Sequence, residues 1–345
     1  MSGKSPHILG VRFSAMGDVA MSVPVLIALT RTYPDLQITV VSKPFFEPLF
    51  SDLDRVHFFG ADVKQKYKGA LGLYKLYKSL KPERFTAIAD LHNVIRSNVL
   101  LSFFRLRGNK IAQINKGRAA KKALTREVNK VFEPLKTTHE RYAEVFKKLG
   151  YPVNLDGTEL LPKQSLSSTV QNLLGNEPQK WLGIAPFAAH EGKKYPLELV
   201  DRVLAELNQK PYKIILFGGG KEEMQLLSAF SAKYRNVINV AGVFSFSEEI
   251  ALISHLDAML AMDSGNGHLA ALFGVPTLTL WGITHPHLGF APYRQPLENQ
   301  LVADREKYPA IPTSVYGNKV PEGYDKVMHT IPPNVILDRI FSILD

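Results

Sequence analysis

The sequence predicts an α/β protein built from two similar units, each with a largely parallel sheet. Short apolar runs alternate with amphipathic stretches through both halves of the chain, the pattern of strand–helix–strand units. Several of these runs feed glycine-bearing turns that open a helix. The stretch 151–179 carries Pro152, Gly157, Pro162, Gly175 and Pro178 with little periodicity, and reads as the joint between the halves. With 345 residues, 45% of them hydrophobic, the chain can bury two cores.

In the first half, strands are expected near 8–13, 37–42, 56–59, 86–90 and 110–114, with helices between them. The first strand runs into Ser14, Ala15, Met16, Gly17 and Asp18, then a helix over 19–30. A dinucleotide-binding turn would show three glycines here, and only Gly17 is present, which argues against a nicotinamide enzyme. Asp18 has two readings, the N-cap of that helix or a carboxylate held out as a general base. Pro24 bears on the choice, because a helix starting at Ser22 would place Pro24 in its first turn and release Asp18 from capping.

In the second half, strands are expected near 181–185, 213–217, 237–240, 257–262 and 277–281. After the first comes a loop holding Lys193 and Lys194, either solvated lysines or point charges for a pyrophosphate. After the second, Gly218, Gly219 and Gly220 precede Glu222 and Glu223, which suit ribose hydroxyls or simply the first turn of a helix. The run ending at Met262 delivers the chain to Asp263, Ser264, Gly265, Asn266, Gly267 and His268. Ser264 is a candidate cap, and Gly265 and Gly267 would let backbone N–H groups approach a ligand. Gly274 and Pro276 end the helix. A helix N-terminus carries about half a positive charge and unpaired N–H donors, so this turn suits a phosphate.

Charge is unevenly distributed. Residues 1–175 hold 27 Lys and Arg against 14 Asp and Glu, a balance of +13, whereas 176–345 balance at −3. The segment 64–130 alone has 17 basic and 3 acidic residues, so it seeks anions. Within it, Leu71, Tyr74, Tyr77 and Leu80 are expected to form one helical stripe and Lys75, Lys78 and Lys81 another, an amphipathic basic helix suited to an anionic membrane or to covering a sheet. The chain has no cysteine, hence no disulfide framework, and no apolar run of membrane-spanning length, which points to a soluble cytoplasmic protein. Asp52 and Asp54 read as turn residues, and His285 and His287 lack further nearby ligands, so no metal site is expected.

Taken together, the motifs resemble glycosyltransferase family 9, the ADP-heptose:lipopolysaccharide heptosyltransferases. The resemblance rests on Ser14–Asp18, on Asp90-Leu-His-Asn-Val-Ile-Arg96-Ser97, on Lys193-Lys-Tyr-Pro196 and above all on 263–276 with 281–286. It implies the GT-B fold, two Rossmann-like domains facing across a cleft. The expected domains are 1–165 for the acceptor, 166–330 for the nucleotide sugar, and a C-terminal helix, 331–345, crossing back to the first domain. It further implies an inverting transfer with Asp18 as base and Lys193 neutralising the leaving pyrophosphate. Asp263, Ser264 and Gly265 would form the diphosphate cradle, and Glu222 would meet the ribose, or Glu223 if the register slips. His268 would contact the diphosphate or pack beneath the loop. His92, Arg96, Lys75 and Lys78 would serve the acceptor.

The resemblance implies ADP-heptose as donor, an anionic glycolipid as acceptor, contact with the inner membrane at its cytoplasmic face, and neither a cofactor nor an essential divalent metal. Three departures from the family pattern stand out: Ala188 and Ala189 replace hydroxyl residues, leaving any phosphate binding there to backbone amides; Ser264 replaces a threonine, a mild change; and Asn266-Gly267 replaces a less polar pair, which bears on the donor sugar. Two other classes remain open: a transferase or epimerase using another nucleotide sugar, and a nucleic-acid-binding protein using the basic segment, which lacks a zinc-finger or RNP signature.

Overall fold

The computed structural model describes residues 5–175 and 177–345. The chain divides into two compact units, one formed by 1–116 with 138–160, the other by 117–137 with 161–345.

The first unit is a five-stranded parallel sheet in the order β3-β2-β1-β4-β5. Its strands are β1 (His7–Val11), β2 (Gln37–Ser42), β3 (Val56–Gly60), β4 (Ala87–Asp90) and β5 (Lys110–Gln113). The first helical stretch is broken in two, α1 (Met16–Ala20) and α2 (Val23–Thr32), with Ser22 as the N-cap of α2 and Pro24 in its first turn. Proline lacks an N–H and is tolerated there because those donors have no intrahelical partner. On one face of the sheet, α3 (Gly69–Leu80) and α4 (Ile95–Leu106) pack Leu73, Leu76, Leu80, Leu100, Leu101 and Phe104 against Leu9, Val11 and Ile88. Between β5 and the last helix of this unit, α6 (Thr138–Leu149), the chain leaves to form α5 (Arg118–Thr125) in the second unit.

The stripes expected on α3 are redrawn. Its buried face is Leu73, Leu76 and Leu80, whereas Leu71 and Tyr74 are exposed beside Lys75 and Lys78. The spacing 71, 74, 75, 78 is itself one helical stripe, so the outer face mixes apolar and cationic side chains.

The second unit holds α7 (Ser168–Leu174), β6 (Lys180–Ala185), α8 (Leu197–Leu207), β7 (Tyr212–Leu216), α9 (Lys221–Lys233), β8 (Val237–Asn239) and α10 (Phe246–Ile253). It continues through β9 (Ala258–Met262), α11 (Gly265–Leu272), β10 (Thr277–Trp281), β11 (Gln300–Val302) and α12 (Pro333–Leu344). The parallel sheet runs β11-β10-β9-β6-β7-β8, and every residue of β7, β9 and β10 is buried, as strands covered on both faces require. The short edge strand β11 was not anticipated from sequence.

Two features correct the expected domain plan. The C-terminal helix does not belong with the first domain: Ile336, Leu337, Ile340 and Leu344 lie in the second unit's core, α12 packs on α8, and the Tyr212 hydroxyl donates to Asp345. Its apolar stripe finds a complementary one in Leu199, Val203 and Leu207, all in the same core. The boundary also differs, because 117–137 docks as a strap on the second unit. Lys130 Nζ donates to the carbonyls of Leu124, Ala310 and Pro312 at 2.8–2.9 Å. Arg305 stacks on Phe132 at 3.4 Å, Phe132 packs on His285 and His287, and Leu135 N donates to the His287 carbonyl. The basic segment of the sequence is thereby split between the units.

Candidate active site

In each sheet the strand order reverses at one point, between β1 and β4 in the first unit and between β6 and β9 in the second. Ligands of open α/β sheets bind beyond the carboxyl ends of the strands at such switch points. Four of the turns singled out from sequence follow those four strands: Asp18, His92, Lys193 and Asp263.

In the first unit Asp18 sits in α1 and pairs with Arg12, which lies one residue beyond β1. The Asp18 carboxylate also accepts from Ala15 N at 3.4 Å, too long to be its main anchor. Arg12 is buried and is held by a second bond, from its guanidinium to the Leu91 carbonyl at 2.8 Å. Burial alone would lower the Arg12 pKa, yet Tyr142, Asp18 and Asp90 outweigh it and the net shift is upward. Tyr142, on α6, donates to the Asp18 carbonyl at 3.1 Å, and burial pushes its phenol up. Thus the carboxylate of Asp18 is fixed by a near neighbour in sequence, Arg12, and its backbone by a group distant in sequence, Tyr142.

His92 follows β4 because Asp90 builds its turn. The buried Asp90 carboxylate accepts from His92 N and Asn93 N at 2.9 Å, from Ser97 Oγ and from Gln113 Nε2. His92 Nδ1 accepts from Phe13 N at 3.3 Å. Burial, then Arg12 and Lys116, push its pKa down to about 3, so the ring is neutral at physiological pH. With Nδ1 accepting, Nε2 carries the proton and is a donor. Arg96 is exposed at the start of α4. Lys75 and Lys78 stand apart from this cluster on the outer face of α3, with Lys78 over the Tyr74 ring.

In the second unit Lys193 Nζ pairs with Asp263 at 3.0 Å, the two side chains being 13% and 8% exposed. The lysine loop is fixed by its neighbour Gly192. Ile283 N donates to the Gly192 carbonyl at 3.0 Å, and a Cβ on Gly192 would lie 2.3 Å from Ile283 Cδ1. Ser264 is the N-cap of α11 in an extended conformation, and its hydroxyl makes no capping bond. Gly265 opens the helix, where the first backbone N–H groups have no intrahelical acceptor. Gly267 serves packing rather than ligand approach: it is buried, and a Cβ there would touch Ala261, Pro292 and Thr277. His268 is buried within the first turns of α11.

Beside the lysine loop lies a cavity of about 630 Å³ whose lining includes Phe187, Glu191, Lys194, Tyr195, Glu222 and Tyr324. Glu223 is engaged elsewhere, accepting from Gly219 N at 2.8 Å, and of these two neighbours it is Glu222 that lines the cavity wall.

The family model described as glycosyltransferase family 9 (heptosyltransferase) matches residues 73–319. The chain belongs to this family. Among curated relatives, lipooligosaccharide heptosyltransferase 2 of Haemophilus influenzae is 26% identical, with 98% of this chain and 99% of the relative covered. Lipopolysaccharide heptosyltransferase 2 of Escherichia coli K12 is 25% identical, with 98% of each covered. Among solved structures, a family 9 glycosyltransferase from Veillonella parvula superposes with a TM-score of 0.76 at 16% identity, covering 100% of this chain and 98% of that one. E. coli ADP-heptose LPS heptosyltransferase II superposes with a TM-score of 0.70 at 21% identity, covering 98% of each. Two Rossmann-like units make this family 9 glycosyltransferase a GT-B protein.

Sequence reasoning did not find the groups that hold these candidate residues in place. Arg12 carried a usable signal, since a guanidinium at the end of an apolar strand must find an anion. Tyr142 and Gly192 carried none, because their roles depend on chain segments that meet only after folding.

Proposed function

We propose that this transferase moves heptose from ADP-heptose onto a lipopolysaccharide core or related glycolipid, with inversion, at the cytoplasmic face of the inner membrane. The observation that carries this reading is the Lys193–Asp263 pair beside the open N-terminus of α11, at the switch point of a family 9 chain. Lysine has three donors and Asp263 occupies one, so two remain for diphosphate oxygens. The α11 N–H groups and the Ser264 hydroxyl add neutral donors for the same anion.

The nucleoside fits the neighbouring cavity, with Glu222 accepting from the ribose hydroxyls and Phe187 offering an aromatic wall. In the transfer, an acceptor hydroxyl attacks the anomeric carbon as the bond to the diphosphate breaks. ADP leaves with the bonding electrons, and the hydroxyl proton passes to Asp18. Arg12 holds that carboxylate in one orientation. An alcohol becomes acidic only as its new bond forms, so Asp18 acts late and contributes about 10²–10⁴-fold. Lysine and helix terminus stabilise charge building on the leaving group, the larger effect in sites of this kind. Neutral His92 and exposed Arg96 remain as acceptor contacts, the first through Nε2–H and the second through its charge. This account asks no metal of the site and expects turnover to persist in a chelator.

The test is incubation with ADP-heptose and a heptose-deficient core glycolipid, following ADP release and acceptor mass. ADP release that depends on the acceptor, with a heptose-sized mass gain, is the expected result. Selective thermal stabilisation by a nucleotide other than ADP would replace the donor, because only a ligand of the native state raises stability.

A further inference from the structure

The outer face of the first unit is unusual in what it leaves uncovered. Leu71 is 80% exposed on the first turn of α3, and Ile95 is 83% exposed on the first turn of α4. Tyr74, 40% exposed, packs edge-on against Phe103 at 5.3 Å and so joins the two helices into one surface. Lys64, Lys66, Lys68, Lys75, Lys78 and Arg96 around them are all exposed. Neither α3 nor α4 contains an acidic residue. A helix face exposed only to water ordinarily interleaves both signs of charge and few large aliphatic side chains.

The position of this surface is as telling as its chemistry. Both helices follow parallel strands, β3 and β4, that end at the same sheet edge as β1. Leu71 and Ile95, on the first turns, therefore lie toward the edge where the Asp18 turn opens.

We propose that this α3–α4 face docks on an anionic lipid bilayer, with Leu71, Tyr74 and Ile95 entering the headgroup–acyl boundary and the lysines meeting lipid phosphates. The inference rests on the glycolipid-acceptor reading only for its purpose, which is to present the Asp18 edge at the surface where the acceptor is anchored. Among the described residues no helix is long and apolar enough to cross a membrane, so the contact is peripheral. Charge complementarity selects the partner: phosphates attract the lysines, and the exposed aliphatic tips, which nothing on a nucleic acid backbone would reward, have a place only in lipid.

The experiment is co-sedimentation of the full chain with vesicles of phosphatidylcholine alone or with one-third phosphatidylglycerol, with and without RNA as competitor. Binding to the anionic vesicles and little to neutral ones is expected. Lys75→Glu with Lys78→Glu should weaken binding by at least about fivefold per charge, since each basic residue near such a surface contributes about that factor. Leu71→Ser with Ile95→Ser should abolish the binding that survives in high salt, where charge is screened. The same aliphatic double variant should transfer normally to a deacylated, water-soluble acceptor and poorly to one embedded in vesicles.

Equal vesicle binding by wild type and the aliphatic variant would overturn the proposal. So would RNA displacing the protein from vesicles while the aliphatic variant still bound RNA, which would mark a nucleic-acid surface. Vesicle binding as expected, with no transfer to any acceptor, would instead remove the glycolipid reading and leave the docking face standing.

Discussion

Lys193→Ala separates two roles that one ion pair can play. The pair is nearly buried, at 13% and 8% exposure, so it is not discounted as a surface bridge would be. Removing the ammonium leaves Asp263 as an uncompensated carboxylate, at a cost of roughly 3–5 kcal/mol when burial is complete and about 2–4 kcal/mol at this exposure. For a unit of this size each kcal/mol lowers Tm by about 2–4 °C. Adding Asp263→Asn removes the stranded charge, so the double variant should regain most of that stability. Phosphate binding should not return, because a charge-assisted bond worth about 1.5–3 kcal/mol, or roughly 10- to 100-fold in ADP affinity, is still absent. The assay pairs urea unfolding with calorimetric titration of ADP and adenosine. Stability restored and ADP affinity still low, with adenosine unaffected throughout, is the expected pattern. If the double variant bound ADP as well as wild type, Lys193 would act only through the fold, and its assignment to the pyrophosphate would be wrong.

Asp18→Asn should lower kcat by about 10²–10⁴-fold while leaving ADP affinity within a few-fold; a comparable loss of donor binding, measured by titration, would remove Asp18 from the role of base. Gly192→Ala should lower ADP affinity by about tenfold or more, because a Cβ 2.3 Å from Cδ1 of the fully buried Ile283, which has little room to yield, displaces the lysine loop, and unchanged affinity would show that Ile283 absorbs the clash or that the loop position is immaterial. Acid stability follows from two rings, His92 and His285, whose pKa burial lowers to about 3. The unfolded chain takes up protons below about 6.5 that the native state refuses, so stability should fall as pH drops from about 6.5 toward 3, by at most about 1.4 kcal/mol per pH unit per ring and less where solvent reaches it. Glu249 acts in the opposite sense: burial raises it to about 7, so its contribution is present below about 4.5 and is lost as pH rises through 7. Urea unfolding between pH 4 and 8 should show a flatter acid limb for His285→Gln and a flatter neutral limb for Glu249→Gln, and parallel curves would refute both assignments.

Strands and site turns were legible because they depend on local pattern. The buried runs ending at Met262 and Trp281, and the turn from Asp263 to His268, announce themselves by composition. Pro24 marked the break between the first two helices for a steric reason that acts within one turn. What stayed hidden is non-local. Which face of α3 is buried depends on the sheet beneath it, and Leu71 and Leu73 are indistinguishable by type. The place of the last helix depended on a matching stripe on α8, more than a hundred residues earlier. Glu222 and Glu223 differ in role only because the folded loop brings Gly219 N to one of them.

The strap has a consequence for how the molecule is made. Lys130 reaches its carbonyl partners Ala310 and Pro312 across sequence separations of 180 and 182. On the ribosome, the first unit has all its residues once 160 has emerged, while the segment 117–137 must wait for almost the entire remaining chain. Loop closure over such distances is slow, and apolar surface left open meanwhile is prone to wrong association. Phe132 and the apolar side of α5 are therefore the groups most exposed to error during synthesis. The two units also cannot be separated by one cut, since the backbone passes between them at 116–117, 137–138 and 160–161. A gene fragment ending after the first unit would carry its strap with nothing to hold.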